Sequence, residues 1–272
     1  MKFVKMTLNY FTFKKFLGLM LVAAIPSFLL ASVSTMSSIS DFIINYDEKN
    51  LTNFITIFQS VSEFRFNNIL MYILVIIVFV IGLTELFGTV ERDMRVGNFT
   101  LRGFFRRLNN NAFSVSLITV FFMLSILFMG IIAAALFLLW AVIISNVLIA
   151  HILSMITAII LSALLFICWV NFILIVPTMI ITGQSTIQST RDSIRHTDGI
   201  FKSLFTAIIV PLFPMFFFVY LEKALSLNIS FILDIIINDL LIVYYVVLML
   251  VTHYEVSGLS REDLSPSNRY FN

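Results

Sequence analysis

From Leu108 to Thr190 the chain contains no Asp, Glu, Lys or Arg, and His151 is the one titratable ring inside that stretch. A soluble core has no use for so long a charge-free run. A bilayer does, because a spanning helix satisfies its own backbone groups and needs about 20 apolar residues to cross the hydrocarbon. Both ends of the run are basic: Arg102, Arg106 and Arg107 precede it, and Arg191, Arg195 and Lys202 follow it. If both basic ends lie in the cytoplasm, an even number of crossings separates them. Two helices of about 30 residues fit, tilted or protruding, with a turn near Ser145 to His151 and Trp140 near the outer interface. Four would be too short, and three would violate the charge rule.

The rest of the chain extends this pattern. Apolar content of 60% with 12% charge departs from the roughly one quarter charged that is typical of soluble domains. The expected fold is therefore all-α, a single polytopic membrane domain over residues 1–272. Six spans are expected: 16–33, 69–87, 112–145, 151–182, 204–220 and 231–252, with Pro211 and Pro214 kinking the fifth. Residues 1–16 read as a basic interfacial lead-in rather than a cleaved leader. Residues 34–66 read as a solvated outer loop, with a short surface helix near 51–61, and its Asn50-Leu-Thr52 sequon as a chance match. Residues 253–272 read as a loose polar tail. Under this topology 14 of the 17 Lys and Arg residues fall on the side of both termini, which places the chain in a cell membrane of bacterial type with both termini cytoplasmic.

Two amphipathic helices are expected on that cytoplasmic side. In the first, Leu101, Phe104, Phe105 and Leu108 recur at helical spacing, leaving Arg102, Arg106 and Arg107 to meet anionic headgroups. The second carries Arg191 and Arg195 four residues apart, with Ser185 or Thr186 as its cap and Asp198-Gly199 as its stop. The plan of span, basic helix and span at 97–113 and again at 185–204 suggests a degenerate duplication.

The residues Pro177, Ser185, Ser193, Thr197 and Gly199 resemble a segment of the membrane domain of bacterial glycerophosphoryl diester phosphodiesterases and related multi-span proteins. Ser189 and Thr190 stand where that segment carries Ala and Leu, and the resemblance covers about 25 residues. In those proteins the phosphodiesterase chemistry lies in a separate soluble domain, for which this chain has no segment. The resemblance thus implies a membrane architecture and no enzymatic activity.

The remaining candidates are polar residues inside the membrane, where ionisable groups are functional by default. Glu85 sits near the cytoplasmic end of the second span, with Arg92 or Arg95 as its expected partner. Asp239 lies roughly 20 Å from the inner face at the usual helical rise, with Lys223 as a candidate partner, and Asp234 lies nearer the outer rim. His151 falls at the outer turn. No spacing of carboxylates, Ser or His points to catalysis, and Cys168 has no second cysteine to pair with. No cofactor, metal or nucleic acid partner is expected. The function expected is a non-catalytic membrane protein accessory to lipid or envelope processes. Its expected partners are anionic lipids and a membrane protein. A permease subunit of an ATP-driven exporter is the alternative.

Overall fold

A computed structural model describes residues 2–33, 54–62, 69–214, 217–218 and 230–264. The fold is an all-α polytopic membrane bundle, and no strand occurs among the described residues. Its helices are α1 (Lys2–Tyr10), α2 (Phe13–Val33), α3 (Phe54–Ser62), α4 (Ile69–Val96), α5 (Phe104–Ile143), α6 (Val147–Phe172), α7 (Ile175–Thr182), α8 (Thr186–Asp198), α9 (Phe201–Ile209) and α10 (Ser230–Val256). Five stretches, Phe13–Ser32, Ile69–Val96, Phe104–Ile143, Leu148–Thr182 and Phe231–Val256, are long and apolar enough to cross a membrane.

α10 is the central helix. Of its most apolar stretch 61% is buried, against 22% for α5. Val243, Val246, Val247, Leu250 and Val251 of α10 pack with Leu19 and Ala23 of α2 and with Leu86 and Val90 of α4. α5 and α6 instead form a hairpin that leaves Phe121, Leu124, Phe128, Ile159 and Leu164 exposed, as lipid-facing residues would be. The hairpin turn spans 144–146. There the Asn146 side chain caps α6 by accepting the backbone N–H of Leu148 and of Ile149 at 3.0 and 3.3 Å. Across the hairpin, Trp140 Nε1 donates to Thr157 Oγ1 at 3.0 Å and Trp169 Nε1 to Ser125 Oγ at 3.1 Å.

At Pro177 and Pro211 the helical path is interrupted, whereas α2 continues through Pro26. Pro177 has no N–H for the carbonyl of Ile173 and its ring would clash there, so α6 ends at Phe172 and α7 restarts at Ile175. The expected fifth span, 204–220, bends at its proline as expected, and its residues 215–216 and 219–220 lie outside the described residues. α9 ends at Ile209, the chain turns at 210–211, and it is helical again at 212–214 and 217–218. α8 and the segment Phe201–Pro214 meet at 95°, and only if that bent pair counts as one span does the number reach 6. The outer turn expected at Glu222 and Lys223 lies outside the described residues.

Near both breaks, side chains from other helices donate to backbone carbonyls. Pro211 deprives Ala207 of its helical donor, and the Tyr244 hydroxyl donates to Ala207 O at 2.9 Å. Tyr245 does the same for Ile208 O at 2.9 Å. Near the first break, Ser193 Oγ donates to Asn171 O at 2.7 Å.

Other expectations are also revised. The outer-loop helix is real, but Ile57 and Phe58 bury themselves against Ala133, Ala134 and Phe137 of α5. The basic helix expected at 101–111 is not separate. Gly103 adopts φ +93° and α5 begins at Phe104 as one 40-residue helix, so Leu101 lies before it. The two stretches expected to be duplicates therefore fold differently. The tail is not loose in its first half: Gly258 (φ +66°) turns the chain back after α10, and Arg261 pairs with Asp263 at 2.8 Å, both side chains largely buried. Residues 265–272 lie outside the described residues.

Tyr244→Phe should lower stability by about 1–3 kcal/mol, because it strands a buried carbonyl while leaving the ring in place. Unfolding of the purified protein in graded denaturant checks this, and an unchanged midpoint would show that Ala207 O has another donor.

Candidate functional site

A set of charged and polar residues gathers at the face that carries the start of α2, the end of α4, the start of α5 and the end of α10, while Asp234, Asn238 and Asp239 are buried near the start of α10. Charges at that depth leave water, so each needs a partner. Glu85 of α4 is 5% exposed and Arg107 of α5 is 8% exposed. Arg107 Nε donates to Glu85 Oε2 at 2.9 Å, and Nη2 donates to Oε1 in a two-point pair. The same guanidinium donates to Leu101 O and Arg102 O at 2.8 Å each and to Thr100 O at 3.5 Å. All five of its donors are thereby directed at acceptors. Arg107 thus clips the 97–103 loop onto α4. Gly88 permits this, since a β-carbon there would come within 2.6 Å of Arg107 Cδ. Thr89 Oγ1 adds a donor to Glu85 Oε1 at 3.3 Å.

A second pair lies beside it. Lys15, at the first turns of α2, sits 2.6 Å from Asp93 Oδ2 on α4, with both side chains 6% exposed or less. Lys15 Nζ also lies 4.8 Å over the Tyr10 ring. Burial pushes the Tyr10 phenol well above its ordinary range, and the Asp93 charge beside it adds to the effect. Lys2 of α1 reaches Glu255 of α10 at 2.6 Å. These pairs draw α1, α2, α4, α5 and α10 together at one face.

The end of α10 continues the layer with His253, which is 2% exposed. Thr178 Oγ1 donates to Leu174 O at 2.7 Å, which commits its proton. At the 3.3 Å contact with His253 Nδ1 Thr178 is therefore the acceptor and Nδ1 carries the hydrogen. The His196 ring of α8 lies 6.4 Å from the His253 ring, edge to face.

Several expected site residues find different surroundings. Arg107 does not reach headgroups, because Glu85 and the loop carbonyls hold it inside. Glu85 pairs with Arg107 rather than with Arg92 or Arg95, and Arg95 pairs with Glu91 at 2.6 Å. Arg102 and Arg106 are exposed, as are Arg191 and Arg195. α8 buries Ser189, Ser193 and Thr197, while Ile187 and Ile194 face outward beside its arginines. Ser185 occupies its N-cap position, but its hydroxyl meets Gln188 Oε1 at 3.3 Å rather than a backbone N–H. Asp239 is 6% exposed and accepts from Ser27 Oγ of α2 at 3.4 Å, whereas Lys223 lies outside the described residues. His151 is half-buried in the first turns of α6, past the turn itself.

The Lys15–Asp93 and His253–Thr178 contacts were not anticipated. Lys15 reads as one of four N-terminal lysines, and only its place at the start of a span marks it. Among the described residues no cluster of three or more His, Cys, Asp or Glu could hold a metal ion. No family model matches the chain, and no curated protein or solved structure is detectably similar to it.

Arg107→Met should destabilise the protein by about 3–5 kcal/mol, since it leaves Glu85 buried and unpaired. Glu85→Leu combined with Arg107→Met should recover most of that loss. Thermal unfolding of the single and double variants measures the coupling, and equal losses in both would refute it.

Proposed function

We propose that this chain is a non-catalytic integral membrane protein of the bacterial plasma membrane, with both termini cytoplasmic, that is accessory to lipid or envelope processes. One observation carries the reading. Beside the buried pairs Glu85–Arg107 and Lys15–Asp93, which hold helices together, stands an exposed set of cations, Lys5, Lys14, Arg102, Arg106, Arg191, Arg195 and Lys202, at the face of the termini. Exposed cations at the rim of a membrane domain meet the phosphates of an anionic leaflet. The excess of Lys and Arg at that face supports the cytoplasmic assignment. The resemblance of 177–201 to the membrane domain of glycerophosphoryl diester phosphodiesterases points in the same direction.

The apolar side chains beside the arginines fit this reading. Phe105 is 82% exposed and Ile187 70% exposed, so each arginine-bearing surface also offers a group to the acyl region. Glu85 is committed to Arg107 and Asp239 to Ser27, which supports structural roles for these intramembrane carboxylates.

Replacing Arg102, Arg106, Arg191 and Arg195 together by Gln should weaken anionic-lipid association by about 1 kcal/mol for each arginine engaged. Arg107 is left intact so that the fold is kept. Counting lipids on the protein ejected from nanodiscs of mixed phosphatidylglycerol and phosphatidylcholine checks this. An unchanged headgroup preference would contradict it.

A further inference from the structure

Where α10 ends, one histidine ring is shut between two neighbouring helices. His253 is 2% exposed. Thr178 of α7 accepts its Nδ1 hydrogen at 3.3 Å, and the His196 ring of α8 lies 6.4 Å away, edge to face. Its Nε2 is buried with no hydrogen-bond partner among the described residues. With Nδ1 carrying the first hydrogen, Nε2 is the atom that takes a second proton. That proton would bring a charge and a donor to a place without an acceptor or a counter-ion, and such a charge is costly to keep buried.

The other ionisable groups at this end of the bundle are engaged or point elsewhere. Lys2 of α1 holds Glu255, Lys15 of α2 holds Asp93, Arg95 holds Glu91 on α4, Arg107 holds Glu85, and Arg261 holds Asp263. Arg92 lies at Gly103. α7 carries no ionisable group. Lys5, Lys14 and Lys202 are exposed, as are Arg191, Arg195 and Asp198 of α8. Tyr10 and Tyr254 are phenols, neutral in the acid range. His196 is half-buried, with Asp192 one turn before it on α8, and it is the one ionisable group whose charge reaches His253.

We propose that His253 and His196 form an acid-released latch: with the rings neutral α8 stays docked on the end of α10, and protonation of His253 frees it. Once α8 leaves, the His253 ring meets water, where an imidazole titrates near pH 6.5. The released state binds a proton that the docked state excludes, so docking is at full strength above about pH 6.5 and weakens as the pH falls below it. For this one ring the release equilibrium gains about thirtyfold by pH 5.0. The latch adds regulation to the function proposed above and rests on it for its purpose. A released α8 brings Arg191, Arg195 and a charged His196 to the headgroups, and an anionic leaflet at about −30 mV concentrates protons about threefold at its surface.

Ser189 on the inner face of α8 is 0% exposed and its hydroxyl has no partner, so Ser189→Cys installs a buried thiol without breaking a hydrogen bond. The full-length protein, in a Cys168→Ser background and in neutral detergent, is treated with a dipyridyl disulfide. Its labelling rate is divided by that of Gln188→Cys, an exposed neighbour, to remove the reagent's own pH dependence. The ratio should rise about thirtyfold from pH 7.5 to pH 5.0. With His253→Gln, which keeps a donor for Thr178, it should stay flat. Val90→Cys, at a 0% exposed position of the core on α4, should label slowly at both pH values. A flat ratio in the parent would overturn the latch. So would an equal rise in His253→Gln, or a parallel rise at Val90→Cys, which would mean that the whole bundle opens. No anionic lipid is present, so failure of the lipid reading leaves this outcome untouched.

Discussion

The Glu85–Arg107 pair sets the terms for the rest of this structure. An arginine at the end of an 83-residue charge-free run has two places to go, the headgroups or a carboxylate inside the bundle. Arg107 goes inside, and its donors to residues 100–102 fix where α5 begins relative to α4. α5 then extends for 40 residues with little of its surface buried, held by that anchor at one end and by α3 at the other. Lys15–Asp93 does the equivalent work for α2 and α4. Such pairs contribute little net stability against an apolar replacement, but breaking one is expensive. Their effect is therefore to fix which helix ends meet at which depth.

The backbone follows a similar logic. Proline at 177 and 211 interrupts helices inside a region without water, and every freed carbonyl needs a donor. Ser193, Tyr244 and Tyr245 donate from neighbouring helices to three carbonyls near these breaks, those of Asn171, Ala207 and Ile208. The Ser and Thr residues along the inner face of α8 belong to this arrangement. α8 is amphipathic in an inverted sense: its small polar face turns inward to meet broken helix ends, and its isoleucines turn outward.

The spans were legible in the sequence because hydropathy reports them directly: residues 16–33, 69–87, 112–145, 151–182 and 231–252 each fall within the five crossing stretches to within a few residues. The bend at Pro211 in the expected fifth span was legible from its proline, but the 95° meeting of α8 with the segment Phe201–Pro214 was not, because it depends on how the segments pack. Glu85 and Asp239 were visible as ionisable groups in apolar surroundings, yet their partners were not. Pairing depends on which helices are neighbours, and Arg107 lies 22 residues from Glu85 in the chain. The helical wheel placed Arg107 with Arg102 and Arg106, but a wheel drawn through Gly103 assumes a helix where the backbone is left-handed.

The central claim is that both basic ends of the charge-free run lie at the cytoplasmic face, two crossings apart. Cysteine accessibility in intact cells tests it most directly. In a Cys168→Ser background, Ser145→Cys places a thiol in the exposed hairpin turn, and Ser260→Cys places one after α10 at the face of the termini. An impermeant maleimide should label the first in intact cells and the second only after the membrane is permeabilised. Labelling of Ser260→Cys in intact cells, with Ser145→Cys protected, would contradict the account.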